Sequence, residues 1–398
     1  MLKLIAAILL VSATSCTRQQ SASSLNGDTG SGDSPASNPT SPPVNPQQYH
    51  RLVGSTGTSL FSIPTGGGSF ESIQNLDPSK GQEPYGAMLK ASDGKLYGLH
   101  SVGGSHGFGV LFQLDPSSGE YRIKHEFADT DGALPKGSLI QVQNGKLVGL
   151  ATGGGNTGNG VIFEFDPAGD VYTVVHEFDA AESDGSNPYG ALIESADGKL
   201  YGYAYAGGLN GAGTLYSFDL GSRTYQKEWT FDPTSGANPR GRLIQGADGL
   251  LYGLTYQGGA NGCGVLFSFN TDTKTYTDLY DFTDTTGSYP KGSLLLVGEQ
   301  LYGLTSAGGT SDKGVLFSFE PGATPAYQVK YNFDNVHGST PEDSLVRAAS
   351  DGALYGLTSA GGASDKGVLF TFNLESLSLT VLYDFTGQIP LGSLIEID

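Results

Sequence analysis

The sequence predicts an all-β protein that repeats one structural unit. Glycine accounts for 61 of the 398 residues, and charged residues make up only 15%. The chain also contains 21 tyrosines and 19 phenylalanines, which are enriched in strands, whereas glycine is typical of turns. The letters "LYGLTSAGG" stand at residues 301–309 and return at 354–362. Composition and repetition together favour many short strands over helices.

The repeat has a period of roughly 50 residues, which is typical of propeller blades. Each unit carries the phrase "LYG" or a close variant, and the centres of the phrase are Tyr97, Val148, Tyr201, Tyr252, Tyr302 and Tyr355. A strand-rich composition at this period argues against a helical solenoid.

Each unit contains four strand-like runs, as the unit that begins at Pro239 illustrates. Its runs are "GRLIQGA", "LLYGLTY", "GVLFSFN" and "YTDLYDF". An Asp-Gly turn, typical of hairpins, joins the first two runs, and a glycine-rich loop joins the second to the third. Val265, Phe267 and Phe269 alternate along the third run, so we expect their side chains to pack between neighbouring blades.

A second phrase, Pro-x-Gly-x-Leu or a near variant, counts the blades. It begins at Pro84, Pro135, Pro188, Pro239, Pro290, Pro341 and Pro390, which makes seven. The last copy opens "PLGSLIEID" and supplies one strand, whereas residues 50–76 supply three strand-like runs without a first one. We therefore predict a seven-bladed β-propeller of four-stranded blades, closed by pairing the C-terminal strand with three N-terminal strands. Closure would remove an unpaired strand edge.

These patterns divide the chain into three segments. Residues 1–15 are predicted to be a signal peptide, residues 16–49 a lipidated cysteine with a disordered Ser/Gly/Pro-rich tether, and residues 50–398 the propeller. The predicted blades cover about 84–127, 135–178, 188–231, 239–282, 290–333, 341–385, and 390–398 together with 50–76.

The leader "MLKLIAAILLVSATSC" has a short apolar run that ends in small residues before Cys16. It resembles the lipobox of bacterial lipoproteins, with Ala13 where leucine is most usual. The resemblance implies cleavage before Cys16 and lipidation of that cysteine. Thr17 follows instead of the aspartate that favours inner-membrane retention. We therefore expect an exported protein anchored to a bacterial membrane, the outer membrane being favoured, that faces the periplasm or the cell surface.

The repeated units resemble two known repeat families. The pattern "LYGLTSAGG…GVLFSF…Y" looks like the kelch repeat, with tyrosine in place of the usual tryptophan. The pattern "DGKLYG…AGG" followed by "GVLF" is closer to the GloVer tandem repeat of bacterial surface proteins, whose members carry one of several anchors. The resemblance covers about residues 50–398. It implies an exported, anchored propeller and no assigned catalysis.

Motifs that would indicate catalysis or metal binding are weak. "GGSHG" at 103–107 lacks the helix of a nucleophile elbow, and "GGGNTG" at 153–158 lacks the helix of a dinucleotide site. His100 and His106 have no evident third metal ligand. The acidic turns at 129–132 and 182–185 lack a calcium-loop pattern. His125 and His176 share a repeat position with Trp229 and tyrosines, which indicates packing. We expect no metal and no cofactor.

The net charge of −19 limits the possible partners. An acidic surface repels nucleic acid and anionic lipid headgroups, so we expect no nucleic-acid partner and membrane contact only through the lipid anchor. We expect a monomer whose partner is an unidentified protein or polysaccharide.

The residues between proline and glycine differ from unit to unit, and these variable positions should lie near the mouth of the central channel. We predict a ligand-binding patch, suited to sugars or carboxylates, of Tyr85, Lys136, Tyr189, Arg240, Arg242 and Lys291. A solvated rim without a ligand is the alternative for these residues.

Three functions remain open from sequence. The first is a lipid-anchored, non-enzymatic binding module in the cell envelope, for which no catalytic residue is assigned. The second is a glycan lyase or hydrolase with its site at the channel mouth, where Glu342 and Asp343 are the candidate acid pair. The third is a structural envelope protein. The fold alone does not decide among them.

Overall fold

The computed structural model describes residues 50–179, 184–324 and 326–397, which form seven antiparallel sheets arranged as the blades of a closed propeller. The predicted fold class is therefore confirmed. The predicted signal peptide, Cys16 and the tether lie outside the described residues. Within the described ranges, no helix is long and apolar enough to cross a membrane.

The strands are short, and the first strand of most blades is the shortest. The first fifteen are β1 (Arg51–Thr56), β2 (Ser59–Pro64), β3 (Glu71–Asn75), β4 (Leu89–Lys90), β5 (Leu96–His100), β6 (Val110–Leu114), β7 (Tyr121–Glu126), β8 (Ile140–Gln141), β9 (Leu147–Ala151), β10 (Val161–Asp166), β11 (Val171–Glu177), β12 (Ser186–Glu194), β13 (Leu200–Ala206), β14 (Thr214–Asp219) and β15 (Thr224–Thr230). The others are β16 (Ala237–Pro239), β17 (Ile244–Gln245), β18 (Leu251–Gln257), β19 (Val265–Asn270), β20 (Thr275–Asp281), β21 (Leu295–Val297), β22 (Gln300–Thr305), β23 (Val315–Phe319), β24 (Tyr327–Asn332), β25 (Val346–Arg347), β26 (Leu354–Leu357), β27 (Val368–Asn373), β28 (Ser378–Asp384) and β29 (Pro390–Ile397).

Blades 1 to 6 follow one another along the chain, and blade 7 joins the two ends. Blades 1, 2 and 3 are β4–β7, β8–β11 and β12–β15, and blades 4, 5 and 6 are β16–β20, β21–β24 and β25–β28. In blade 4 the first strand is split into β16 and β17, which both pair with β18.

Blade 7 closes the ring in the predicted manner. Its strand order is β29-β1-β2-β3, so one C-terminal strand completes three N-terminal strands. The antiparallel β1–β29 pairing runs from Arg51 opposite Ile397 to Thr56 opposite Pro390. This pairing satisfies backbone groups that an open blade would leave exposed at its edge.

The hydrophobic core lies between the blades. Phe267 of β19 is fully buried and packs with Tyr203 and Phe231 of the preceding blade. Its ring lies 5.5 Å from the ring of Phe231, edge to face. The prediction that the third-strand aromatics pack between neighbouring blades is confirmed.

The outermost strands add a second, partly buried aromatic layer. The ring of Trp229 stacks on Tyr276 of the next blade at 4.8 Å between centroids. His125 stacks on Tyr172 at 3.7 Å, and His176 stacks on Tyr225 at 4.5 Å. Burial in this layer lowers the pKa of both histidines, although neighbouring carboxylates oppose the shift. The predicted packing role of this repeat position is confirmed.

The two faces of the ring differ in their loops. We call the face that carries the Pro-x-Gly segments and the glycine-rich loops the mouth face, and the face that carries the Asp-Gly hairpins the turn face. β1 starts at Arg51 on the turn face, and β29 ends there at Ile397. Both ends of the propeller therefore lie on the turn face.

Candidate functional site

The inner rim of the mouth is a ring of tightly packed backbone. A Cβ atom at Gly137 would lie 1.4 Å from the carbonyl oxygen of Gly190, and one at Gly190 would lie 1.6 Å from that of Gly241. No side chain fits at Gly137 or Gly190, so these two positions need glycine. The ring comprises Gly86, Gly137, Gly190, Gly241, Gly292, Asp343 and Gly392.

In several blades a serine follows the ring residue, and its side chain forms a hydrogen bond with the adjacent blade. The backbone N–H of Ala87 donates to Ser138 Oγ at 2.8 Å, and that of Arg242 donates to Ser293 Oγ at 2.9 Å. Ser344 and Ser393 accept equivalent bonds from the preceding blades. These bonds make the rim a rigid frame from which the variable side chains project.

Arg242 replaces this serine in blade 4. Its side chain is exposed, yet the surrounding protein removes enough water to lower the pKa of the guanidinium. Within the described ranges, no carboxylate forms an ion pair with it. Arg242 therefore adds an unpaired positive charge to the inner rim of the mouth.

Tyr85 and Lys136 form one cation–aromatic pair at the mouth. The Lys136 ammonium lies 5.5 Å from the Tyr85 ring centroid. The Tyr85 hydroxyl donates to Glu83 Oε2 at 3.3 Å, and burial, with the Glu83 charge, raises the pKa of Tyr85 to about 12. The phenol is therefore neutral at physiological pH.

Arg240 is surrounded by three tyrosine rings. Its Cζ atom lies 5.3 Å from the ring centroid of Tyr189, 5.0 Å from that of Tyr205 and 4.5 Å from that of Tyr256. Its Nε is buried and makes no hydrogen bond with a described residue. Cation–aromatic contacts hold the guanidinium, and its Nη donors make no hydrogen bond with a described residue.

Lys291 has a different environment from Arg240. Its ammonium lies 5.8 Å from the Tyr256 ring centroid and forms an ion pair with Glu342 of the next blade. The carboxylate neutralises the lysine, so Lys291 adds little net charge to the mouth. Sequence alone did not reveal this pairing.

Asp343 places a carboxyl group in the glycine ring. Burial, reinforced by the Glu342 charge and opposed by Lys291, raises its pKa to about 7. The charges of Asp343 and Glu342 also act on Tyr189, whose pKa is raised mainly by burial and lowered in part by Arg240. These groups therefore influence one another electrostatically.

The six predicted patch residues thus fall into three places. Tyr85 and Lys136 form a pair, whereas Tyr189, Arg240 and Lys291 share a cluster that Tyr256 connects. The third place is the serine position of blade 4, which holds Arg242.

Sequence reasoning missed Tyr205, Tyr256 and Tyr289. Tyr205 and Tyr256 occupy a repeat position that is serine or threonine in blades 1, 2, 5 and 6. The ring of Tyr289 lies 5.3 Å from that of Tyr256. Comparison of "LYGLTSAGG" with "LYGYAYAGG" and "LYGLTYQGG" would have exposed the first two substitutions.

The histidine and serine motifs occupy structural positions. His100 is buried against Phe112, and burial lowers its pKa to about 4. Ser105 of "GGSHG" donates its hydroxyl to Glu126 Oε2. Among the described residues, no group of three or more His, Cys, Asp or Glu side chains is arranged to hold a metal. Glu182 and Ser183 of the second acidic turn lie outside the described residues.

A cavity of about 330 Å³ lies on the turn face between blades 4 and 5, where Tyr252, Leu296 and Glu299 contribute to its lining. At two other junctions a glutamine accepts a bond from the preceding hairpin, as Gln141 does from Ser92 N at 2.8 Å. Leu296 stands at the glutamine position and cannot accept such a bond. The cavity therefore lies where the hydrogen bond between neighbouring blades is missing.

Solved structures with this architecture include several lactonase propellers. The periplasmic gluconolactonase PpgL of Pseudomonas aeruginosa superposes with a TM-score of 0.60 at 18% identity, covering 88% of this chain and 99% of that one. A Bacteroides fragilis protein provisionally assigned as a 6-phosphogluconolactonase superposes with a TM-score of 0.59 at 15% identity, covering 90% and 100%. At these identities the likeness shows the fold alone.

Sequence comparison identifies the repeat itself. No curated protein sequence matches the chain significantly. The family model of the Gloeobacter/Verrucomicrobia repeat matches residues 50–249 and 230–398, which together span the whole propeller. The chain therefore belongs to the Gloeobacter/Verrucomicrobia repeat family.

Proposed function

We propose that the protein is a lipid-anchored propeller of the bacterial cell envelope that binds an anionic polysaccharide at its mouth face. The observation that carries this proposal is the environment of Arg240. Its guanidinium lies within 5.3 Å of three tyrosine ring centroids, and no described carboxylate pairs with it. An arginine that stays unpaired in a chain with net charge −19 supports a site for an anion.

The position of the chain ends supports the proposed orientation. His50 precedes β1 on the turn face, so a tether attached at Cys16 would reach the propeller from that side. The mouth would then face away from the membrane. That orientation suits a protein that captures a ligand from the periplasm or the cell surface.

A glycan array tests the proposal. Because the strands between residues 51 and 397 close the ring, a chain that lacks residues 1–16 keeps every strand of the propeller. We expect this soluble chain to bind anionic glycans and the Arg240→Ala/Arg242→Ala variant to lose the signal. Unchanged binding by a folded double variant would refute the mouth as the binding face, and capture of only a protein would refute the polysaccharide.

A second candidate function rests on Asp343. A carboxyl group with a pKa of about 7, beside Glu342 at the mouth, can donate or accept a proton at neutral pH. The protein would then be a glycan-active enzyme with this acid pair at its site. Turnover of an anionic glycan that is abolished by Asp343→Asn, with binding retained, would support this function over simple binding.

A further inference from the structure

Tyrosines and cations alternate around the mouth in chain order. The variable residues of blades 1 to 4 are Tyr85, Lys136, Tyr189 and Arg240. Lys136 lies over Tyr85, and Arg240 lies over Tyr189, so each cation packs on the tyrosine of the preceding blade. The mouth thus presents two cation–aromatic units on successive pairs of blades.

The two halves of the mouth carry different charge. Within the described residues, no acidic side chain forms an ion pair with Lys136 or Arg240. Blade 6 instead presents Glu342, which neutralises Lys291, and Asp343. The variable positions of blades 1 to 4 therefore carry two cations and two tyrosines, with Glu83 as an acidic neighbour of Tyr85. Blade 6 offers carboxyl groups that accept hydrogen bonds.

The contacts of Arg240 restrict how it can bind an anion. Three tyrosine rings lie 4.5 to 5.3 Å from its Cζ atom and cover much of the guanidinium. The remaining donors lie in the plane of the group, which matches the two oxygens of a carboxylate. The neighbouring tyrosines are partly buried, so they offer flat apolar surface beside this charge.

From this arrangement we infer that the ligand is a polymer of sugar acids. One carboxylate lies in the plane of the Arg240 guanidinium, a second lies beside Lys136, and the sugar rings lie against the tyrosines. The carboxyl group of Asp343 binds sugar hydroxyl groups. The inference rests on the proposed function and narrows its ligand to carboxylated glycans longer than one residue.

Isothermal titration calorimetry on the chain without residues 1–16 tests the inference. The probes are trimers of galacturonate, glucuronate and mannuronate, the corresponding monomers, a sulfated trimer, and carboxyl-reduced trimers in which each carboxylate becomes a primary alcohol. We expect at least one uronate trimer to bind. Its monomer and its reduced form should each bind about tenfold to a hundredfold more weakly, since each loses charge-assisted hydrogen bonds.

Arg240→Lys is the diagnostic variant, because it keeps the charge and removes the planar fork. We expect about tenfold weaker binding of the trimer. Arg347→Lys is the matched control, since Arg347 lies on the turn face and its Nε donates to the Gly352 carbonyl at 3.2 Å. Its binding should equal that of the unmodified chain, and thermal unfolding should show both variants folded.

Several results would overturn the inference. They are equal binding of the reduced trimer, preference for the sulfated trimer, equal binding of monomer and trimer, unchanged binding by Arg240→Lys, or no binding of any uronate. The test of the proposed function is independent of this inference. If the glycan array shows another anionic ligand that the Arg240→Ala/Arg242→Ala variant loses, the proposed function stands and only the sugar-acid assignment is wrong.

Discussion

Phe267 and Arg240 belong to the same blade, but the repeat keeps the residue type at the first position and varies it at the second. Phe267 lies in the wall between blades, fully buried, at a position that is phenylalanine or tyrosine in all seven units. Arg240 lies at the mouth, at a position that holds tyrosine, lysine, arginine, glutamate or leucine in different units. Positions that hold the same residue type in every unit supply the packing that each blade needs. Positions that vary between units are free of that constraint and can bind a ligand. Substitutions in the wall should change stability, whereas substitutions at the mouth should change binding.

Removal of residues 390–398 should have the largest effect. The deletion takes away β29, so β1 becomes an unpaired edge and the blade 6–blade 7 interface loses Leu394. We expect the shortened chain to aggregate or unfold. Circular dichroism and size-exclusion chromatography check this, and a melting temperature equal to that of the intact chain would contradict the closure.

Phe267→Ala should break one wall without touching the mouth. Loss of a fully buried phenylalanine should lower the free energy of unfolding by about 3–5 kcal/mol. Thr277→Ala, at an exposed position in the same blade, is the control and should change it by about 0.5 kcal/mol or less. Denaturant titration measures both, and equal effects would show that the wall does not carry the stability.

The glycine ring lies at the rim, where neighbouring blades meet. Gly137→Ala tests how closely their backbones pack there. The added Cβ would lie 1.4 Å from the Gly190 carbonyl oxygen, so we expect about 1–3 kcal/mol of destabilisation. Gly387→Ala is the matched control, because its added Cβ would meet nothing within 4 Å. Chemical unfolding that ranks the two variants equally would mean that the blades do not abut at the rim.

Tyr205→Ser should weaken ligand binding and leave stability nearly unchanged, whereas Phe267→Ala should lower stability. It restores the kind of residue that four other blades carry, so the free energy of unfolding should change by about 1 kcal/mol or less. It also removes a ring 5.0 Å from Arg240 Cζ, so ligand binding should weaken by about tenfold. Calorimetry that finds full affinity in this variant would remove Tyr205 from the site.

The smallest expected effect is a pH dependence that originates at Asp343. Its pKa is raised to about 7, so the group is mostly neutral at pH 6 and ionised at pH 8. Ionisation adds negative charge beside Glu342 and Tyr189, so affinity for an anionic glycan should fall several-fold as the pH rises across this interval. Lys291 offsets only part of that charge.

The contribution of Asp343 to stability should also fall as the pH rises. Because the pKa in the folded chain is above the ordinary value, the contribution is complete below about pH 4 and is lost as the pH rises through about 7. Asp343→Asn should flatten both pH profiles, and an unchanged slope in that variant would assign the dependence to another group.

The repeated letters were sufficient to predict the ring. The Pro-x-Gly phrase predicted seven blades. The single strand-like run after Pro390, together with the three runs in residues 50–76, predicted the closure. Such inferences need only patterns along the chain. They succeed because each blade must bury the same face and make the same turns.

The mouth could be predicted only in part, because its properties depend on distances between blades. The variable positions identified Arg240 and Tyr189, but not that the two stack or that Lys291 pairs with Glu342 of the next blade. The sequence identified Asp343 as half of a candidate acid pair, but not the burial that raises its pKa.

The central claim is tested most directly by a crystal structure of the soluble chain with the tightest-binding uronate trimer. We expect a carboxylate within hydrogen-bonding distance of the Arg240 guanidinium, with a sugar ring against Tyr189, Tyr205 or Tyr256 at the mouth face. A trimer bound instead in the cavity between blades 4 and 5 on the turn face, beside Tyr252 and Leu296, would contradict it.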